Sequence, residues 1–339
     1  MSEDIPVISV EAMRARHAAL SDVILRTPAV PLHAPLLQGL IGGEVWLKLE
    51  LMQHTGTFKA RGALSNARAI AREDLARGIT AASAGNHAIA AAWAARMVGA
   101  PARVVMMDSA NPYRVALARR EGAELVMVSG GAAAFAEAGR LVEELGMHFL
   151  HPFDGVGTIL GSSAVGLEFV TDVPGLEAVI VAVGGGGLIG GVAAAVKALN
   201  PACAVYGVEP EGADSMRQSL IAGAPVTLEQ VNTIADSLAP PMALPLGHAL
   251  AEAHVDDIVT VTDDAICAGM VLYQEEAKLA VEPAAGAAMA AMLGPLRARL
   301  RGRRVGLVVC GANIDAAGFG ALLERGRAHV GALIGGPGR

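Results

Sequence analysis

Between positions 178 and 196 the chain carries no charged and no polar side chain, yet six of its residues are glycine: Gly184, Gly185, Gly186, Gly187, Gly190 and Gly191. A stretch of that length and apolarity raises the question of a membrane-spanning helix. Four consecutive glycines argue against one, since each weakens a helix by about 1 kcal/mol relative to alanine. What remains is a buried strand over 178–183, a glycine loop, and a helix reaching about residue 199. A strand apolar on both faces that feeds straight into a helix belongs in a parallel sheet with both sides covered. No other segment of the chain narrows the fold as much.

The same alternation repeats on both sides of it. Upstream, a strand-like entry begins at Ile5, followed by a helix over 10–20, a Pro-bearing turn at Thr27-Pro28 and a short strand over 44–49. Helices over 58–72, 86–98, 112–121 and 132–145 then alternate with strands over 79–82, 102–107 and 124–128. A second series starts near Val156 and takes in strands over 205–208, 258–261 and 305–310. The expected fold class is α/β, with two open-sheet domains, helices on both faces and a shared cleft. With 53% apolar residues the chain is not disordered. Its 26 basic and 33 acidic residues give a net charge of −7, so no excess of cations is available for a nucleic-acid backbone. Cys203, Cys267 and Cys310 are too few and odd in number for a disulfide framework, which suits a reducing cytoplasm. The N-terminus is acidic and has no apolar export core, so no signal peptide and no membrane attachment are expected.

Three glycine-bearing turns carry candidate chemistry. In the first, Gly185-x-Gly187-x-x-Gly190 follows a strand and opens a helix, and Glu209 lies downstream. That context fits a dinucleotide fingerprint, hence an NAD-dependent oxidoreductase. It also fits a cup of backbone amides around a single phosphate, as any helix N-terminus can supply. In the second, Ala81-Ala-Ser-Ala-Gly-Asn-His87 is another strand-to-helix turn. It reads either as a nucleophile elbow with Ser83 at its apex, for which Asp236 and His254 could be nominated as partners, or as a second anion cup. In the third, Thr55-Gly-Thr-Phe-Lys59 sets Lys59 at a helix start in apolar surroundings. Burial and the helix dipole both disfavour an ammonium there and lower its pKa towards a nucleophilic amine.

Together the three turns resemble the serine/threonine dehydratase (ammonia-lyase) group of fold-type-II pyridoxal-phosphate enzymes, which share the tryptophan synthase β-like fold. The block Thr55-Gly-Thr-Phe-Lys-Ala-Arg-Gly-Ala63 is similar to that family's Schiff-base motif, Ser83 to His87 to its substrate-carboxylate loop, and Gly184 to Leu188 to its phosphate cup. Gly207-Val-Glu-Pro210, Thr233-Ile-Ala-Asp236, Glu282-Pro-Ala-Ala-Gly286 and Cys310-Gly-Ala-Asn-Ile314 follow in the family's order. The resemblance implies pyridoxal 5′-phosphate in an interdomain cleft. Lys59 would attach it and remove the substrate's Cα proton. Phe58, Asn86, Gly184, Gly185, Gly186, Gly187, Leu188, Glu282 and Cys310 would surround the cofactor, with Asn86 at its 3′-oxygen and the Cys310 thiol at its pyridine nitrogen. Ser83, Ala84, Gly85, Asn86 and His87 would hold the substrate carboxylate. The implied activity is β-elimination from a threonine- or serine-like amino acid to a 2-oxo acid and ammonia, by a homodimer. The implied limits are a large domain from 1–51 and 156–325, a small domain over 52–155, a tail over 326–339 and no C-terminal regulatory domain.

Some positions depart from the family pattern. Ala84 stands where related eukaryotic serine racemases carry a serine acid, which disfavours racemisation. Glu209 and Ala213 match two ligands of the family's divalent-cation (Mg or Ca) site, but the third position falls on Ser215. Gly161-Ser-Ser-Ala164 replaces Gly-Gln-Gly-Thr, Ser237 replaces a glycine, Ile89 replaces a glutamine, and the apolar run 238–246 is atypical. These changes predict a bulkier β-hydroxy amino acid, of the phenylserine or hydroxyectoine-derived type. His148 and His151 are expected to be structural, and His54 to lie behind the lysine block.

Overall fold

The computed structural model describes residues 8–335. The start of the strand-like entry at Ile5, the acidic N-terminus and the last residues of the expected tail lie outside them. The chain begins with α1 (Val10–Leu20), β1 (Ala29–Pro31), α2 (Pro35–Ile41), β2 (Val45–Lys48) and α3 (Lys59–Ala67). It continues through β3 (Ile79–Ala82), α4 (Asn86–Val98), β4 (Ala102–Met107), α5 (Pro112–Arg120), β5 (Glu124–Val128), α6 (Gly131–Leu145) and β6 (His148–Phe149). Then come α7 (Val156–Asp172), β7 (Ala178–Ala182), α8 (Gly187–Leu199), β8 (Ala204–Pro210), α9 (Ser215–Ala222), α10 (Pro245–His254) and β9 (Asp257–Val261). The last elements are α11 (Asp263–Glu276), α12 (Pro283–Leu293), α13 (Arg297–Leu300), β10 (Val305–Val308) and α14 (Ala316–Gly335).

Two sheets result. The first is six-stranded in the order β1-β2-β10-β7-β8-β9, and the second is four-stranded in the order β5-β4-β3-β6. Every pairing is parallel except that of β1 with β2. The strand expected from the glycine-rich segment, β7, lies inside the larger sheet with all its residues buried. Both sheets deliver their central strand ends, Ala182 of β7 and Ala82 of β3, into glycine turns that open a helix. In open parallel sheets this carboxyl edge is where ligands bind.

Small residues set the packing distances. α12, built of Pro, Ala, Gly, Met and Leu, is buried along its whole length. A Cβ on Gly269 of α11 would stand 2.2 Å from the carbonyl oxygen of Gly286 in α12, so the two backbones touch. The high alanine content is thereby explained: large side chains would force such helices apart. The departure at 161–164 has the same cause. Ser162 and Ser163 are buried in α7, and a Cβ on Gly191 of α8 would meet Ser163 N at 2.7 Å and Ser162 Cβ at 2.9 Å. They lie at a close α7–α8 packing.

Two boundaries differ from the sequence expectation. α3 ends at Ala67 rather than Arg72, because its buried stripe (Ala60, Ala63, Leu64, Ala67) is exhausted there. Residues 326–335, expected as a tail, continue α14, with Gly326 against the Cys267 carbonyl and Leu333 buried. No helix among the described residues is long and apolar enough to cross a membrane.

Candidate active site

Lys59 is the first residue of α3 and is held from both sheets. Phe58 N donates to the Cys310 carbonyl (3.1 Å), just beyond β10, and Thr57 bridges to Gly311. Its Nζ donates to the Pro152 carbonyl at 2.6 Å and stands 5.1 Å from the centroid of the Phe58 ring. Burial lowers its pKa to about 8, against the opposing pull of Cys310 and Glu282. No carboxylate pairs with this amine directly, and its free-base share near neutrality, about a tenth at pH 7, far exceeds that of a solvated lysine.

Beneath α3 lies a buried ionic cluster. Arg61, two residues on, bonds Glu50 through Nε (2.8 Å) and Glu168 through Nη1 (2.8 Å). Lys48 Nζ donates to Glu168 (2.6 Å) and to the Thr27 carbonyl (2.7 Å). Burial alone would lower the Arg61 pKa, but Glu50 and Glu168 outweigh it and the net shift is upward. The cluster fixes where Lys59 starts without reaching the cleft.

The β7–α8 turn holds Gly184, Gly185, Gly186, Gly187 and Leu188. Gly186 needs its φ of +92°, and a Cβ there would meet Met216 Cε at 2.6 Å. A Cβ on Gly185 would overlap the Phe153 ring (2.1 Å), and one on Gly187 would meet the Phe153 carbonyl oxygen (2.4 Å). The cup is thus lined by amides alone, at the positive end of α8. Beside it the Ser237 Oγ is buried without a partner, with the Ser237 carbonyl 3.0 Å from a Cβ built on Gly184. A phosphate seated in the cup would find donors and no competing side chain.

The β3–α4 turn holds Ser83, Ala84, Gly85, Asn86 and His87. Ser83 Oγ accepts from Gly85 N (3.1 Å). His87 Nε2 donates to the Leu150 carbonyl (2.7 Å), and burial with the nearby Lys59 lowers its pKa to about 3. The imidazole is neutral, so a carboxylate here would be held by amides and dipole rather than by a formal cation. The elbow alternative loses its partners: Asp236 pairs with Arg114, and His254 closes α10 in the other sheet's layer.

Asn86 joins the two halves. Its Nδ2 donates to both Glu282 oxygens (2.7 and 2.9 Å), and its Oδ1 accepts from Asn313 Nδ2 (2.9 Å). Contact with a cofactor 3′-oxygen therefore needs one of these bonds to be exchanged. Sequence reasoning passed over Arg114. From α5 it reaches Asp236, Glu282 (3.4 Å) and the Asn313 carbonyl (2.8 Å), and Nη1 stands 2.9 Å from a Cβ built on Gly85. Its only signal was a lone arginine one turn after Asn-Pro, indistinguishable from a surface charge. Cys310 is buried beside Lys59. Burial, with Glu282 adding to it, pushes its thiol well above the usual range, so it stays neutral. The buried Tyr273 hydroxyl has no hydrogen-bond partner.

Not every expected residue joins the site. His54 bonds the Val23 carbonyl (2.9 Å) and stacks on Trp93, with centroids 5.1 Å apart, which makes it structural. His151, expected to be structural, lies instead near Lys59 with its ring against Phe153. Glu209 accepts from Met216 N (2.9 Å) and Arg217 N (2.8 Å) at the start of α9, and burial raises its pKa to about 8. Ala213 offers no side-chain ligand, and Ser215 Oγ faces the Pro240 carbonyl (3.4 Å). Among the described residues no group of three or more His, Cys, Asp or Glu side chains could hold a metal. The expected cation site is therefore not assembled by these side chains.

A buried amine without a carboxylate, a side-chain-free phosphate cup, a second amide cup and a neutral thiol fit pyridoxal phosphate. The family described as pyridoxal-phosphate-dependent enzymes matches residues 20–311. Phenylserine dehydratase of Ralstonia pickettii is 48% identical, over 84% of this chain and 87% of its own. L-threonine ammonia-lyase of Thermotoga maritima is 35% identical, over 97% of this chain and 81% of its own. Among solved structures, maize serine racemase superposes with a TM-score of 0.87 at 32% identity, covering 96% of this chain and all (100%) of that one.

Proposed function

The chain belongs to the pyridoxal-phosphate-dependent enzyme family, and on that premise we propose that its preferred substrate is phenylserine or a close β-aryl analogue. It is an ammonia-lyase of β-hydroxy amino acids. The NAD-dependent alternative falls with the family assignment, since the glycine turn is that family's cup. The observation that carries the aryl preference is the 48% identity, over most of both chains, to a phenylserine dehydratase.

When bound, the cofactor supplies a carbonyl for the substrate amine and a ring that takes up electrons from the broken Cα–H bond. Gly184 to Leu188 hold its phosphate by backbone amides at the N-terminus of α8. Ser83 to His87 hold the substrate carboxylate at the N-terminus of α4, with neutral His87 fixing the loop through the Leu150 carbonyl. Lys59 Nζ, with its pKa near 8, is available both to carry the cofactor and to accept the Cα proton. Phe58 flanks the amine, and the neutral Cys310 thiol would stand toward the cofactor's ring nitrogen without imposing a positive charge on it. Arg114, Glu282 and Asn313 hold the Asn86 loop against the larger sheet. Loss of the β-hydroxyl as water leaves an enamine whose imine tautomer takes up one water and releases ammonia, so phenylserine is converted to phenylpyruvate with net loss of ammonia alone.

The small domain is taken as 52–155 and the large one as 1–51 with 156–325. We place the enzyme in the cytoplasm, supported by three buried unpaired cysteines, and assign it a homodimer, which light scattering reads directly. The test of function is a 2-oxo-acid release screen over serine, threonine, phenylserine and hydroxyaspartate. The largest kcat/KM is expected for phenylserine. A larger value for threonine or hydroxyaspartate overturns the aryl assignment.

A further inference from the structure

Aromatic residues are only 3% of this chain, and it has just six phenylalanines. One of them, Phe58, lies beside Lys59, and three more, Phe135, Phe149 and Phe153, form a chain of rings with His151. Phe153 follows Pro152, whose carbonyl accepts from Lys59 Nζ, and its ring packs over Gly185 of the phosphate cup. The His151 ring stands 4.7 Å from Phe153, nearly perpendicular at 84°. Phe149 lies 5.8 Å from His151 at 81°, and Phe135 completes the chain at 6.0 Å from Phe149 and 5.9 Å from His151. These are edge-to-face or tilted contacts at separations where ring quadrupoles attract, and an additional ring can join them in the same way.

Phe149 also packs on the core between α6 and the smaller sheet, but three features leave the chain of rings open to a ligand. Phe135 is 43% exposed on α6, which a ring placed for packing alone would avoid. The backbone before it is bare: a Cβ on Gly130 would meet nothing within 4 Å, and one on Gly131 only Met107 Sδ at 3.8 Å. The imidazole is also oriented and uncharged. Its Nδ1 accepts from Asp154 N (2.9 Å), and burial lowers its pKa to about 4.

We propose that Phe135, Phe149, His151 and Phe153 form the subsite that takes the aryl group on the substrate's β-carbon. The chain of rings starts at the amine that acts on Cα and leads outward along the smaller sheet. A β-methyl group would reach only its inner end, whereas an aryl ring would stack within it. An acidic β-substituent would meet rings and a neutral imidazole. The inference rests on the aryl-substrate proposal and specifies which residues enforce it.

The test compares the holoenzyme with Phe135→Ala, a change at a half-exposed position, and with Phe149→Leu, which keeps apolar bulk. Two readouts are taken: the ratio of kcat/KM for phenylserine over threonine, and the ratio of Kd for L-alanine over L-phenylalanine from the cofactor's visible absorbance. Phenylalanine carries the ring but no leaving hydroxyl, so the second readout does not depend on turnover. Both ratios are expected to fall about tenfold, or about 1.4 kcal/mol, the order one aromatic contact adds. Ratios within twofold of the unmodified enzyme in both variants overturn the subsite even if phenylserine remains the best substrate. Preference for threonine in the unmodified enzyme, combined with a Phe135-dependent preference for binding phenylalanine, overturns the substrate proposal and supports the subsite.

Discussion

The two strand-to-helix turns at the cleft have the same plan and opposite construction. At Gly184 to Gly187 the chain carries no side chains, and neighbours fill every position a Cβ would occupy. At Ser83 to His87 it keeps polar side chains and ties them across the cleft, Asn86 to Glu282 and Asn313, with Arg114 behind Gly85. The first cup is closed by close packing on backbone and on Phe153, which comes from the loop after β6 of the smaller sheet. The second depends on contacts between the two sheets, as a turn that must admit a substrate and release a product can. What separates the two proposed roles is that the first turn is lined by glycine backbone, whereas the second hydrogen-bonds through its own side chains.

Four changes separate the roles. The largest effect falls between the cups: Lys59→Ala is expected to lower kcat by at least roughly 10⁴-fold and to abolish fixation of the cofactor by borohydride, read by mass spectrometry. Next is Gly187→Ala. Its Cβ would meet the Phe153 carbonyl oxygen at 2.4 Å, an overpacking of about 2 kcal/mol, so cofactor Kd should rise roughly thirtyfold while KM for amino acid in saturating cofactor changes little. Retained cofactor affinity would show that the first cup yields. Arg114→Ala should do the reverse, raising KM about tenfold with cofactor Kd nearly constant, because a buried carboxylate loses its cation. Arg114→Lys should recover part of the loss, and a fall in kcat alone would remove Arg114 from substrate positioning. The smallest effect is one of pH. A buried lysine disfavours its charged form, so cofactor uptake by the apoprotein should speed up as pH rises, with a midpoint about 8. A midpoint near that of a solvated lysine, about 10.4, would mean that the amine is hydrated.

Much of this architecture was legible because its signals are local. Strands over 102–107 and 124–128 and the helix over 86–98 lie where alternating apolar runs and helix-start residues put them. Lys59 and both turns stood out because glycines, a helix start and a polar residue fall within a few positions of one another. Signals that depend on distance were lost. Arg114 is one arginine among many until Asp236, Glu282 and Asn313 surround it. That Ser162 and Ser163 stand where α7 packs closely on Gly191 of α8 was equally hidden, since the two helices are separate stretches of chain.

By itself the sequence determined the parallel α/β plan, the two strand-to-helix turns and a lysine at a helix start. Each follows from the conformational limits of glycine and from the positive end of a helix, which act over one or two turns of chain. Only the tertiary structure decided which side chains share the cleft. The chain of rings draws on α6, β6 and the loop after it, and the Arg114 network on α4, α5 and loops from the larger sheet. Those contacts span long stretches of chain, and burial and packing between the sheets bring them together.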